Sequence, residues 1–438
     1  MAQKADLKLE QFETPFASFQ NCEEATDLDD PVYPMPHVLA PCLGQPLAMR
    51  PSPALPFSEQ SNISAVSLTI ALLASNMESG GLRSCCGVLF LIAGQSCADK
   101  WVYLAQIVAR SGRTQIRGQV MGRLLNGEWV TNDAAHNASG QFERAEMLFR
   151  NWIQNTADAE FAPESGRYHL YVSYACPWAH RTLIFREIKE LTDHISVDVV
   201  HPDMFDDGWA FADDWPGATG DRLLGKTYLR EIYQAVKPDI TARVTVPILW
   251  DKSTKTIVSN ESSEIIRMFN SAFNDLTGNT EDYWPETLRD EIEAVNERIY
   301  HTLNNGVYKS GFARNQTAYD TAVEELFETM DWIEQRLSTR RYLVGDRVTE
   351  ADWRLVPTLF RFDAVYHTHF KCNRSRLVDF PNMWAYVREL YQWPGVAETV
   401  RMDHITRHYY ASHTSINPHG IVPIGPSPDW LSPHGRDF

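Results

Sequence analysis

The segment Tyr168-His169-Leu170-Tyr171-Val172, followed after three residues by Cys176-Pro177, constrains this chain more than any other feature. The five residues are aromatic, aliphatic and β-branched, which predicts a strand. Proline is favoured in the first turn of a helix, where its missing N–H leaves no bond unmade. Leu183, Ile184, Ile188 and Leu191 then recur at helical spacing. A strand therefore hands over to a helix at Cys176, which becomes the residue before the first helical turn. Free N–H groups and the positive end of the helix dipole would face its sulfur. That placement predicts a pKa below the ordinary thiol value of about 8.5. The plain alternative is a buried cysteine acting as a small apolar residue.

The downstream pattern extends the same unit. Ile195–Val200 reads as a second strand, and Val244–Trp250 as a third with Pro247 inside it. Thr256–Ser259 reads as a short fourth strand, and Ser262–Phe273 as a helix with Ile265, Ile266 and Phe269 on one side. Between them, 202–238 forms a Gly- and Asp-rich insertion. Proline within an apolar strand requires an edge or a bend. A cis Val246–Pro247 bond would present the Val246 backbone to a peptide-like ligand; an edge-strand proline is the competing reading.

Beyond residue 280 the pattern is helical. Leu288, Ile292, Val295, Ile299 and Leu303 form one stripe, and Val323, Leu326, Phe327, Met330, Ile333 and Leu337 another. Thr349 and Asp352 fit a capping box that opens a further helix. The tail after Ser415 is rich in Pro and Gly and reads as extended. Upstream, Asn126-Gly127 marks a turn and Glu143–Ile153 reads as a helix. Residues 31–56 hold eight of the 24 prolines, which excludes regular helix or central strand there. Residues 1–119 are expected to be a divergent, poorly ordered extension with a short helix at Val102–Arg110.

Composition limits the function. The 438 residues carry 57 acidic and 40 basic side chains, a net charge of −17, which argues against broad nucleic-acid binding or docking on anionic lipid. The longest apolar stretch, Ile63–Ala74, is too short to cross a bilayer, and the amino terminus has no apolar signal core. Five of the seven cysteines (Cys22, Cys42, Cys85, Cys86 and Cys97) fall in the first hundred residues, leaving Cys176 and Cys372. The odd, uneven set predicts reduced thiols in a reducing, cytoplasmic setting.

Ala179 occupies the position of a second cysteine in a C-x-x-C pair, so any disulfide formed by Cys176 needs an external thiol, with glutathione the obvious small one. Gly220–Thr227 satisfies a phosphate-loop pattern, but Asp213-Asp214-Trp215-Pro216-Gly217 cannot be the apolar strand that such a loop follows. His404 and His408 lie four apart, and His367, His369 and Cys372 cluster. Neither group carries a dedicated metal signature, so packing or hydrogen-bonding histidines are expected and no metal is assigned.

Ser173–Arg181 (SYACPWAHR) resembles the active-site segment of xi-class glutathione transferases, the glutathionyl-hydroquinone reductases. Gly208–Phe211, Gly217–Asp221, Arg243–Pro247, Ser259–Ser262, Asn304–Lys309, Thr349–Asp352, Thr368–Cys372 and His419–Ile421 are similar too. The resemblance runs from about Met121 to the C-terminus. It implies an α+β chain, a thioredoxin-like domain followed by an all-α glutathione-transferase domain, as a homodimer. The expected divisions are an arm at 120–165, a glutathione-binding domain at 166–276, a helical domain at 281–412 and a tail at 413–438.

It also implies removal of the glutathionyl group from glutathionyl-hydroquinones, with glutathione as co-substrate and no tightly bound cofactor. Carried over by position, Cys176 is the nucleophile, and Tyr308 and Tyr409 serve the hydroquinone side. Trp209, Arg243, Val244 through its backbone, Glu261 and Ser262 contact glutathione. Chemically, Arg243 suits the glycyl carboxylate, and Glu261 and Ser262 at a helix start suit the γ-glutamyl end. A conjugating transferase and a catalytically silent, transferase-like regulatory or ligand-binding protein remain alternatives.

Overall fold

The computed structural model describes residues 122–131, 140, 142 and 144–436, all within the unit that runs from Gln106 to Phe438. The expectations for residues 1–119, the Val102–Arg110 helix and the Ile63–Ala74 stretch lie outside the described residues.

Asn126 and Gly127 both take positive φ (50° and 80°) and join β1 (Gly122–Leu125) to β2 (Glu128–Thr131) in a two-residue hairpin. Positive φ at both centres is what such a tight hairpin needs. The main sheet holds β3 (Tyr168–Val172), β4 (Ser196–Val199), β7 (Ile248–Asp251) and β8 (Thr256–Ser259) in the order β4-β3-β7-β8. β3 pairs β4 in parallel, Leu170 opposite Val197, and β7 antiparallel, Leu170 opposite Leu249. All five residues of β3 are buried, as a central strand covered on both faces requires.

Helix α1 (Pro177–Ile188) crosses between β3 and β4, and α3 (Ser262–Ser271) follows β8. This is the β-α-β then β-β-α order of a thioredoxin-like unit. The insertion carries a small hairpin, β5 (Met204–Phe205) and β6 (Gly208–Trp209), and helix α2 (Arg230–Val236).

The remainder is helical: α4 (Asn274–Thr277), α5 (Arg289–Ile299), α6 (Gly306–Gly311), α7 (Gln316–Leu337), α8 (Glu350–Arg361), α9 (Pro381–Tyr391) and α10 (Met402–Ser412). The Asp352 carboxylate accepts from the Thr349 N–H at 2.8 Å and hydroxyl at 3.1 Å, closing the predicted cap of α8. Ile292, Val295, Ile299 and Leu303 bury as their stripe predicts, whereas Leu288 stays at the helix edge, half-buried. After Ile299 the helix widens into a π turn, Tyr300–Asn304, before α6. α8 widens in the same way at Phe362–Tyr366.

Two expectations need correction. Residues 144–153 are not helical. They run extended beside β8, with the Asn151 N–H on the Val258 carbonyl at 2.9 Å and the Asn260 N–H on the Phe149 carbonyl at 3.1 Å. The free edge of β8 offers hydrogen bonds that outcompete a local helix. The third strand starts at Ile248 rather than Val244, because the chain turns at a cis Val246–Pro247 bond.

The phosphate-loop pattern is occupied internally: the Asp221 carboxylate accepts from the N–H groups of Leu223, Leu224 and Lys226. Those are the donors that a phosphate would need. His404 Nε2 lies 2.7 Å from the Pro216 carbonyl and His408 Nδ1 2.8 Å from that of Pro202, so both serve as hydrogen-bonding side chains. Among the described residues no helix is long and apolar enough to cross a membrane.

Candidate active site

Cys176 is the N-cap of α1, with extended φ/ψ (−78°, 120°) and Pro177 in the first turn. Its carbonyl accepts the first helical bond, from the His180 N–H at 3.0 Å. Cys176 is free and half-buried. Its sulfur lies 3.6 Å from the Val246 carbonyl, the geometry of a thiol donating weakly.

The sequence-based expectation for its acidity is corrected. Burial pushes the Cys176 thiol up. The N–H groups of Ala179 and Trp178 and the charges of Arg361 and Arg144 oppose this without reversing it. Here the cost of partly desolvating the thiolate among aromatic walls outweighs the helix terminus.

A cleft of about 730 Å³ opens over this sulfur. It brings together Cys176, Trp209, Arg243, Val244, Tyr308 and Tyr409 from the predicted set. Tyr308 comes from α6 and Tyr409 from α10, and their hydroxyls are 2.7 Å apart. The Tyr366 hydroxyl lies a further 3.0 Å from that of Tyr409. Burial raises the pKa of all three phenols. They are therefore neutral donors at ordinary pH, and each hydroxyl can pass a proton along the row.

Trp209 stacks on His408 at 4.7 Å between ring centres, which fixes its face toward the cleft. Burial lowers the Arg243 pKa, as do the nearby charges of Arg144 and Arg123. Arg243 and Arg144 both line the cleft, and two cations there favour an anionic ligand.

Glu261 and Ser262 do not line this cleft. Glu261 caps α3, its Oε1 accepting from the Ser263 N–H at 3.0 Å and hydroxyl at 2.8 Å, and Ser262 is buried as the first helical residue.

Sequence reading missed Arg144, Tyr366 and Arg361. Arg144 lies in the extended arm. Its guanidinium sits 4.7 Å from the Trp178 ring centre and 5.1 Å from that of Tyr308, and its Nε donates to Asn305 Oδ1 at 2.8 Å. No local pattern marked it. Tyr366 falls in a π turn, where helical periodicity loses phase. Trp178 was quoted in the motif without a role; here it lies between Arg144 and Arg181, the latter 4.6 Å from its ring centre.

A thioredoxin-like sheet carrying a cysteine at a helix N-terminus, with a helical bundle closing the cleft, defines a cysteine-type glutathione transferase. The family model described as glutathione S-transferase, N-terminal domain, matches residues 175–272, and that for the C-terminal domain matches 316–389. The glutathionyl-hydroquinone reductase YqjG of Escherichia coli is 52% identical over 326 residues, covering 72% of this chain and 99% of that protein. The glutathionyl-hydroquinone reductase PcpF of Sphingobium chlorophenolicum is 50% identical over 312 residues, covering 70% and 97%.

Among solved structures, the glutathione-bound form of YqjG is similar with a TM-score of 0.67 over 72% of this chain and 99% of its own, at 50% identity. The xi-class transferase of Natrialba magadii reaches a TM-score of 0.70 at 50% identity, over 73% of this chain and 98% of its own. The chain belongs to the xi-class glutathione transferases, the glutathionyl-hydroquinone reductase family.

Proposed function

We propose that this protein removes the glutathionyl group from glutathionyl-hydroquinones at the expense of glutathione. The observation that carries the reading is the meeting of the Cys176 sulfur and the Tyr308–Tyr409 hydroxyl pair in one cleft. A thiolate nucleophile and a proton donor are the two groups that the reaction needs.

Substrate binding precedes attack. The Arg243 guanidinium takes the glycyl carboxylate, the Val244 backbone pairs with the peptide, and Trp209 packs on it. Glu261 and Ser262 lie outside the cleft itself, so for them to receive the γ-glutamyl end at the start of α3, as the chemistry of a carboxylate beside a helix N-terminus favours, the tripeptide has to extend past it. The Cys176 sulfur, as thiolate, attacks the sulfur of the glutathionyl group. An S–S bond forms, the carbon–sulfur bond breaks, and its electron pair goes to the ring. The ring carbon takes a proton through Tyr308 or Tyr409 and leaves as the hydroquinone. A second glutathione thiolate then attacks the mixed disulfide, releasing glutathione disulfide and returning the Cys176 thiolate. Electrons balance: the substrate's thioether sulfur and the incoming glutathione's thiol sulfur are oxidised to a disulfide, and one ring carbon is reduced by two electrons.

No resolving cysteine follows at position 179, which supports an external thiol in the second step. Both cysteines among the described residues are free, which fits a reducing, cytoplasmic setting. Glutathione acts as co-substrate rather than resident cofactor. The homodimer of the family and the division into a glutathione-binding domain at 166–276 and a helical domain at 281–412 belong to the same reading.

Intact-protein mass spectrometry after mixing with glutathionyl-menadiol tests it. A gain of one glutathionyl group on Cys176, with menadiol released, is expected. Menadiol release without that adduct, or no release at all, would exclude the mechanism.

A further inference from the structure

Arg361 is the last residue of α8 and is fully buried. Its Nε donates to the Ala175 carbonyl at 2.9 Å and its Nη2 to the Tyr174 carbonyl at 2.9 Å. Those are the two carbonyls immediately before Cys176. Nη1 donates to the Pro357 carbonyl at 2.6 Å and lies 3.1 Å from His180 Nδ1.

His180 Nε2 in turn lies 2.7 Å from the Thr399 hydroxyl. Arginine offers only donors, so His180 Nδ1 accepts and the ring is neutral with its proton on Nε2. Burial lowers the His180 pKa well below its usual value, and the Arg361 charge does so further. No carboxylate lies within ion-pair distance of Arg361 among the described residues. A permanent cation buried without a counter-ion is costly, so this position holds a charge that its neutral surroundings do not answer.

We propose that Arg361 is the positioning residue for Cys176, clamping the Tyr174–Ala175 turn and supplying the buried positive charge that the Cys176 thiolate faces. The inference rests on the reading of Cys176 as nucleophile. The turn carbonyls cannot pair within the sheet, because β3 ends at Val172. A planar fork reaching two adjacent carbonyls fixes both their direction and that of the next residue. The Cys176 N–H then bonds the Ser173 carbonyl at 3.1 Å, and the sulfur is aimed at the cleft.

Among the described residues the charges of Arg361 on α8 and of Arg144 in the arm act on this sulfur, and Asp206, Arg243, Tyr308, His408, Tyr409 and His413 share its cleft. Tyr308 stays neutral, so the sulfur is the group able to become the missing anion. Arg361 opposes the burial that disfavours the thiolate, and Arg144 adds to it.

The test is the pH dependence of Cys176 alkylation by iodoacetamide in the full-length, glutathione-free protein, followed on the Cys176 peptide by mass spectrometry. Arg361→Met is expected to move the midpoint up by about one pH unit, making alkylation about tenfold slower at neutral pH. Arg361→Lys keeps the charge and loses the fork. Its midpoint is expected within a few tenths of a unit of the parent, with a lowered kcat. A purely structural clamp predicts lower thermal stability in both variants and an unmoved midpoint. A folded Arg361→Met protein with the parental midpoint overturns the proposal. Should Arg361→Met not fold, an Arg361→Lys midpoint raised by a full unit overturns it equally. Alkylation needs no hydroquinone turnover, so failure of the proposed reaction would be seen separately.

Discussion

The hydroxyls of Tyr308 and Tyr409 meet at 2.7 Å although the residues lie on separate helices. Burial keeps both protonated, with Tyr366 completing the row behind them. Tyr409→Phe removes the centre of this row and leaves two buried hydroxyls without their shared partner. We expect kcat to fall by about 10²-fold, within the usual range for losing a positioned proton donor, with glutathione affinity by calorimetry unchanged. Tyr308→Phe combined with Tyr409→Phe should cost little more than either alone, because coupled groups are non-additive. Parental kcat in both single variants would remove the pair from the chemistry.

Cys176→Ala should abolish glutathionyl-menadiol reduction while leaving the thermal unfolding curve nearly in place, since the side chain is small and half-buried. Cys176→Ser puts a hydroxyl at the α1 N-terminus, where it can donate to a glutathione thiolate but cannot form a mixed disulfide. Weak conjugation of glutathione to a chloronitrobenzene should then appear. Full reductase activity in the alanine variant refutes the nucleophile assignment.

Gly311 ends α6, and a Cβ added there would lie 2.3 Å from ring atoms of Phe370. That ring packs 5.6 Å from the centres of Tyr308, Tyr366 and Tyr409. Gly311→Ala must therefore displace the floor of the tyrosine row. An overpacking cost of about 1–3 kcal/mol is expected, together with a lowered kcat. Urea unfolding and steady-state kinetics on one preparation check both, and a variant unchanged in either respect would show the ring to be mobile.

His369 and His408 are buried, and burial pulls both pKa values down to about 4. Their unfolded values are about 6.5. The unfolded chain therefore binds protons first as the pH falls. The stability from keeping these rings neutral is fully present above about pH 6.5 and is lost progressively toward pH 4. The loss is at most about 3 kcal/mol for each ring. Urea midpoints between pH 7.5 and 4.5 should fall accordingly. Replacing both with Gln should flatten that slope, and equal slopes in parent and variant would contradict it.

The chain's local order is written in its sequence. A β-branched and aromatic run gives β3, Cys176-Pro177 starts α1, Asn126-Gly127 turns the first hairpin, and Thr349 with Asp352 caps α8. Each depends on neighbours within a few residues, so the pattern carries it. The motif around Cys176, combined with the matching segments downstream, likewise identified the family.

Other features required the folded chain. Residues 144–153 become extended only because the edge of β8 is there to receive them. Arg144, Arg361 and Tyr366 reach the site from an unpatterned arm, a helix end and a π turn, where no spacing rule applies. The acidity of Cys176 also turned on tertiary structure. A helix N-terminus is legible locally, but desolvation depends on what surrounds the sulfur, and that is set by residues from separate parts of the chain, among them Arg144, Val246 and Tyr308.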